Sequence, residues 1–168
     1  MNLIKLRVEQ GERVIDGFSR LISWLFVFLV SVIVIQVIFR YVFSKGLIAL
    51  EELQWHFYAV LMMFGMSYTD LKKSHVGIDL LSQKWSTQTQ FKVELLGTLF
   101  LFLPFVLILF THSLPFVWEA WRLNERSLSP SGLPWRWIIK GTIPASILLW
   151  IMARFVSLGR SYLNQKEK

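Results

Sequence analysis

Cysteine is absent from this 168-residue chain, and charged residues are scarce, at 17% of the sequence. The lack of cysteine excludes a disulfide scaffold and a zinc site built on thiolates. The low charge argues against a soluble globular domain, in which about 25% of residues are typically charged. The sequence also lacks a glycine-rich phosphate loop and a nucleophile elbow, the usual marks of two large enzyme classes. We therefore expect neither catalytic activity nor a bound cofactor.

Apolar residues make up 54% of the chain and are concentrated in four stretches of 13 to 24 residues that contain no charge. A helix needs about 20 residues to cross a bilayer core of ~30 Å. The pattern therefore predicts an all-α integral membrane protein that forms a single domain. Its four transmembrane helices are expected near residues 21–43, 50–71, 91–117 and 137–158. The first stretch is longer than the apolar core of a signal peptide, so we expect it to be retained.

The segments that flank these stretches indicate how the chain lies in the membrane. Residues 1–20 carry apolar side chains at helical spacing and charges on the other faces, which predicts an amphipathic interfacial helix. A shorter amphipathic piece is expected at 78–85. Of the 18 Lys and Arg residues, 12 fall on the side of the two termini and six on the other side. Because cytoplasmic loops carry the excess of basic residues, both termini are predicted to be cytoplasmic.

Two histidines leave an alternative open. His56 and His112 lie at similar predicted depths in the second and third apolar stretches. Two facing imidazoles can ligate a b-type haem, which would make the chain the membrane anchor of a redox complex. Each histidine can equally reach water or a neighbouring hydroxyl at the membrane surface. A third possibility, a self-contained transporter or channel, would need a polar lining near the membrane midplane, whereas the middles of the first three stretches contain no charge.

Three further groups of residues have structural explanations. Arg40 ends the first stretch and Glu51 and Glu52 open the second, so an arginine–carboxylate clamp is expected across the outer turn. His75 and Asp79, four residues apart, are expected to order the inner loop. Small residues at a spacing of four permit close helix approach. They occur at Gly65 and Thr69, and at Gly141 and Ala145.

Three short motifs, in this order, resemble those of a known family. The first is Phe39-Arg40-Tyr41-Val42-Phe43 followed by Glu51-Glu52. The second is Gly65 followed by His75-Val76-Gly77-Ile78-Asp79-Leu80-Leu81. The third is Ser127 followed by Gly132-Leu133-Pro134-Trp135-Arg136-Trp137 and Lys140. Together with the size and the four helices, they resemble the small membrane subunit (DctQ-like) of tripartite ATP-independent periplasmic (TRAP) transporters.

The resemblance implies a non-catalytic scaffold in a bacterial inner membrane. Such a subunit anchors and stabilises a large elevator-type membrane subunit during the sodium-driven uptake of an organic acid. A periplasmic binding protein delivers the solute, so the implied partners are that protein, the large subunit and membrane lipids, with no nucleic acid. The outer loop before the fourth helix then supplies candidates for contact with the binding protein: Glu119, Arg122, Glu125 and Arg126.

Overall fold

The structure, a computed structural model, describes residues 3–72 and 85–166, which fold into helices joined by short connections. The helices are α1 (Leu3–Val42), α2 (Ile48–Leu71), α3 (Thr87–Gly97), α4 (Leu103–Arg122) and α5 (Arg136–Lys166). A π-helical turn, Thr98–Phe102, joins α3 to α4, so that the two form one continuous rod. No strand occurs in the described ranges. The all-helical prediction is confirmed.

Three helical segments are long and apolar enough to cross a membrane: Leu3–Val42, Thr87–Arg122 and Arg136–Lys166. The 24-residue α2 is not among them. Its polar residues, such as Gln54, His56 and Asp70, lower its mean hydropathy. Three of the four predicted spans are therefore supported by length and composition, and the fourth remains a prediction.

The N-terminal segment does not form a separate helix. Residues 1–20 were expected to form one unit and 21–43 another, but α1 runs without a break from Leu3 to Val42. No proline occurs before Pro104, so nothing in this segment forces the helix to end. Whether the first half of α1 lies along the membrane surface remains a prediction.

Helix α5 is the centre of the bundle, because it packs against α1, α2, α3 and α4. The core cluster joins Ala153 and Val156 of α5 to Ile15 of α1 and Leu71 of α2. Helices α1 and α5 approach each other closely at two glycines. A Cβ atom on Gly11 would lie 2.5 Å from Cγ2 of Val156. Likewise, a Cβ atom on Gly159 would lie 2.7 Å from Cγ2 of Val8.

Candidate functional site

Inter-helix polar contacts gather at two ends of the bundle, which we name the Glu52 end and the Asp70 end after the residues of α2 that anchor them. At the Glu52 end, the Glu52 carboxylate accepts hydrogen bonds from the Ser127 hydroxyl and from the Leu133 N–H, the latter at 2.6 Å. Ser127 and Leu133 belong to the loop between α4 and α5. Hydrogen bonds to an ionised acceptor are about twice as strong as neutral ones. Glu52 thus ties this loop to α2.

The same loop needs a glycine at position 132. A Cβ atom on Gly132 would lie 2.3 Å from Cβ of Ser127 and 2.7 Å from Oε1 of Glu52. The Gly132 N–H also donates to the Ser129 carbonyl at 3.0 Å, which closes the turn. The Ser127 and Gly132 of the third motif are therefore the residues against which the Glu52 carboxylate packs.

A second carboxylate, Glu125, holds the loop to the start of α5. Glu125 forms ion pairs with Lys140 and, at 3.8 Å, with Arg136. The Arg136 N–H donates to the Glu125 carbonyl at 3.1 Å, and the Lys140 ammonium lies 3.9 Å from the centroid of the Phe116 ring. Glu125 thus binds Lys140 within the chain.

The other three candidates are exposed, and Glu119 and Arg122 lie in the last turn of α4 and not in the loop. Arg122 and Glu119 form an exposed ion pair at 2.9 Å. Arg126 is exposed and forms no ion pair with another described residue. Next to it, Leu128 is 98% exposed. Of the four proposed contact residues, Glu125 alone is engaged in holding the loop to α5.

The expected clamp across the turn between α1 and α2 is not formed. Arg40 and Glu51 are exposed, and no ion pair joins Arg40 to Glu51 or Glu52. The reason lies in the direction of the Glu52 side chain, which turns to the α4–α5 loop and not to α1.

At the Asp70 end, Arg154 of α5 joins three helices. Its Nη2 atom lies 2.9 Å from Oδ1 of Asp70 on α2, and its Nη1 atom lies 4.0 Å from Oε1 of Glu94 on α3. Glu94 in turn accepts hydrogen bonds from Ser157 at 3.3 Å and Ser161 at 2.7 Å. The Arg154 guanidinium is thus held by carboxylates of two neighbouring helices.

The π-helical turn completes this site. It brings the Phe102 ring beneath Arg154, with 5.2 Å between the guanidinium carbon and the ring centroid. Phe102 also packs edge-on against Trp150, with 5.0 Å between ring centroids. Pro104 follows two residues later and has no N–H to donate, so a wider turn at this point is expected. The turn therefore places an aromatic ring against the half-buried guanidinium of Arg154, which permits a cation–π interaction.

Two more ion pairs bind α1 to its neighbours at this end. Lys72 of α2 lies 3.0 Å from Asp16, and Arg160 of α5 lies 2.5 Å from Glu12. Charge pairs at the Asp70 end thus link α1, α2, α3 and α5. The two pairs made by α1 are partly exposed, and pairs of this kind typically contribute only about 0–1 kcal/mol of stability each.

The histidines are not arranged for a shared ligand. His56 Nδ1 lies 2.5 Å from the Glu52 carbonyl, and His112 Nδ1 lies 2.8 Å from the Ile108 carbonyl. Helix α2 packs on α1 and α5, whereas α4 packs on α5, and His112 is exposed. The structure gives no support to the haem alternative. Within residues 3–72 and 85–166, no group of three or more potential metal ligands is found.

The small residues proposed for helix contacts face open space. A Cβ atom on Gly65 or on Gly141 would meet nothing within 4 Å, and Ala145 is exposed. Close helix packing within the chain occurs instead at Gly11 and Gly159. His75, Asp79 and nearly all of the segment 78–85 lie outside the described residues.

The fold and these contacts define a helical membrane protein with charge-paired ends. Over residues 29–163, the chain matches the family described as tripartite ATP-independent periplasmic transporters, DctQ component. The match covers most of the chain, and the protein belongs to this family of small membrane subunits of TRAP transporters. A comparison with curated proteins finds no match.

Proposed function

We propose that the chain is a non-catalytic scaffold that anchors the large elevator-type subunit of its transporter. The transporter would carry out sodium-driven uptake of an organic acid that a periplasmic binding protein delivers. The observation that carries this proposal is the distribution of charge. Carboxylates tie neighbouring elements together at each end of the bundle, and the helix segments between the ends are apolar. A bundle whose two ends are held by such contacts is suited to be a rigid scaffold, which stays still while the large subunit moves.

The spacing of the two ends supports α2 as the fourth membrane span. Glu52 and Asp70 are 18 residues apart, which corresponds to about 27 Å along a helix. This length is close to the ~30 Å hydrocarbon core of a bilayer. No charge lies between them. We assign the Asp70 end to the cytoplasm, together with both termini, because the basic residues are in excess on that side.

The apolar surface left by the bundle supports contact with a large partner. In the most apolar stretch of α1 only 6% of the residues are buried, and in that of the α3–α4 rod 11%. Exposed surface of this extent is expected to be covered by lipid or by another membrane subunit. Gly141 and Ala145 on α5 offer a flat area where a partner helix can approach closely.

The chain has no cysteine, so its topology can be tested with single introduced cysteines. Ser44→Cys and Leu128→Cys report on the Glu52 end, and Ser86→Cys and Asn164→Cys on the Asp70 end. With a membrane-impermeant maleimide, we expect the first two to react in intact cells. The other two should react only after permeabilisation. If α2 did not cross the membrane, Ser44→Cys and Ser86→Cys would react from the same side.

The partner is tested by purifying the tagged chain from its native membrane in a mild detergent. We expect mass spectrometry to find a large multi-helix membrane protein in the sample. The absorption spectrum should show no haem band. A haem band together with a redox protein would overturn the proposal and make His56 and His112 the residues to change.

A further inference from the structure

An open cavity of about 250 Å³ lies between α1 and α2 at the Asp70 end. Its polar lining comes from Asp16, Ser19, Arg20 and Lys72. Its apolar lining includes Ile22, Leu61 and Phe64. Phe64 is braced edge-on by Phe18, with 5.1 Å between ring centroids. One cavity thus presents both a charged part and an apolar wall.

The charges that line the cavity do not cancel. Lys72 is paired with Asp16 at 3.0 Å. Arg20, in contrast, forms no ion pair with any carboxylate in the described ranges. Beside it, the Ser19 hydroxyl oxygen is buried and has no hydrogen-bond partner among the described residues. A buried hydroxyl without a partner is costly, and it can donate to an acceptor that enters the cavity.

Gly65 leaves the cavity open. A glycine inside a helix costs about 0.5–1 kcal/mol relative to alanine. Close helix packing does not account for it, because a Cβ atom at this position would meet nothing within 4 Å. Gly65 instead forms part of the cavity lining, where a larger side chain would occupy the free volume.

The position in the sequence sets the depth of the cavity. Arg20 immediately precedes the charge-free stretch 21–39 of α1, and Lys72 follows the charge-free stretch 53–69 of α2. Both cations therefore lie at the level of the lipid headgroups, with the apolar wall on the side of the hydrocarbon core. A ligand that matches this arrangement has an anionic head and an apolar tail.

We propose that this cavity binds an anionic phospholipid, whose phosphate accepts hydrogen bonds from Arg20, Ser19 and Lys72 and whose acyl chain follows Ile22 and Leu61. The depth of the site rests on α2 crossing the membrane, as proposed above, and on no property of a partner subunit. It therefore does not depend on the scaffold role proposed above.

Native mass spectrometry of the full-length chain in detergent tests the proposal, with phosphatidylglycerol, phosphatidylethanolamine and inorganic phosphate as separate probes. We expect one phosphatidylglycerol to bind in preference to the other two. Arg20→Gln should weaken this binding about tenfold, since it removes a charge-assisted contact to phosphate. Gly65→Leu should abolish it by filling the cavity. The controls are Arg13→Gln, an exposed arginine on the same helix, and Gly141→Leu, a glycine facing open space elsewhere.

Melting temperatures show whether Gly65→Leu still folds, and Arg20→Gln serves as an independent test if it does not. Equal weakening by Arg20→Gln and Arg13→Gln would overturn the proposal, since it would show general attraction to positive charge. Equal binding of phosphatidylethanolamine would overturn the anionic selectivity. Binding of inorganic phosphate as strong as that of the lipid would overturn the lipid assignment.

Discussion

Asp70 on α2 lies 2.9 Å from the guanidinium of Arg154 on α5, and only 2% of Asp70 is exposed. Arg154 belongs to the central helix, and the same guanidinium faces Glu94 on α3. A charge buried in this way is stable only while its partners are in place. The pair therefore fixes how α2 sits against α5 in the bundle.

We expect Arg154→Met to be strongly destabilising, because Asp70 and Glu94 both lose their contact with its guanidinium. Breaking a buried pair from one side costs about 3–5 kcal/mol. The double variant Asp70→Asn with Arg154→Met should lose less than the sum of the two single variants. Unfolding of the purified chain in detergent measures each loss, with Arg126→Met as the exposed control. Strictly additive losses would show that the two residues do not interact.

Gly11→Ala is expected to destabilise the contact between α1 and α5. The new Cβ atom would lie 2.5 Å from Cγ2 of Val156, and overpacking of this kind costs about 1–3 kcal/mol. Gly17→Ala on the same helix meets nothing within 4 Å and should be neutral or slightly stabilising. Adding Val156→Ala should restore part of the loss at Gly11. If Gly11→Ala and Gly17→Ala had the same melting temperature, the close approach described here would be wrong.

Glu52→Ala is expected to release the loop between α4 and α5, because the Ser127 hydroxyl and the Leu133 N–H lose their common acceptor. Trypsin should then cut after Arg126 faster than in the unchanged protein. Glu51→Ala, which alters an exposed neighbour, is the matched control and should leave the rate unchanged. Equal rates for the two variants would mean that Glu52 does not hold the loop.

Two roles of the outer-loop charges can be separated. The combined change of Glu119, Arg122 and Arg126 to Ala should lower uptake that depends on the binding protein and leave the melting temperature unchanged, because these residues are exposed. Glu125→Ala should lower the melting temperature, because Lys140 and Arg136 lose their partner. Unchanged uptake with the triple variant would remove these residues as contacts for the binding protein.

The sequence predicts the helices well because their boundaries are local. Charge-free stretches and flanking charges mark where a membrane helix begins and ends. The main difference is α1, where amphipathic and apolar halves, read as two units, form one helix. The backbone hydrogen bonds of a helix stay intact where its sequence changes from amphipathic to apolar. Such a change therefore does not mark the end of a helix.

The contacts between helices are not predictable in the same way. Arg154 lies within the last predicted span, 137–158, and its position alone does not indicate that it pairs with Asp70 of α2 or that α5 is the central helix. Glu52 and Ser127 are 75 positions apart, and no spacing rule joins them. The sequence gives the depth of a charge in the membrane. The ion-pair partner of that charge depends on which helices are neighbours in the fold.

The central claim is tested most directly by uptake into proteoliposomes. They would contain the large membrane subunit with or without this chain, and receive the solute-loaded binding protein and an inward sodium gradient. The account predicts uptake only when this chain and the large subunit are both present, and none with this chain alone. Full uptake without this chain, or uptake by this chain alone, would contradict the scaffold role.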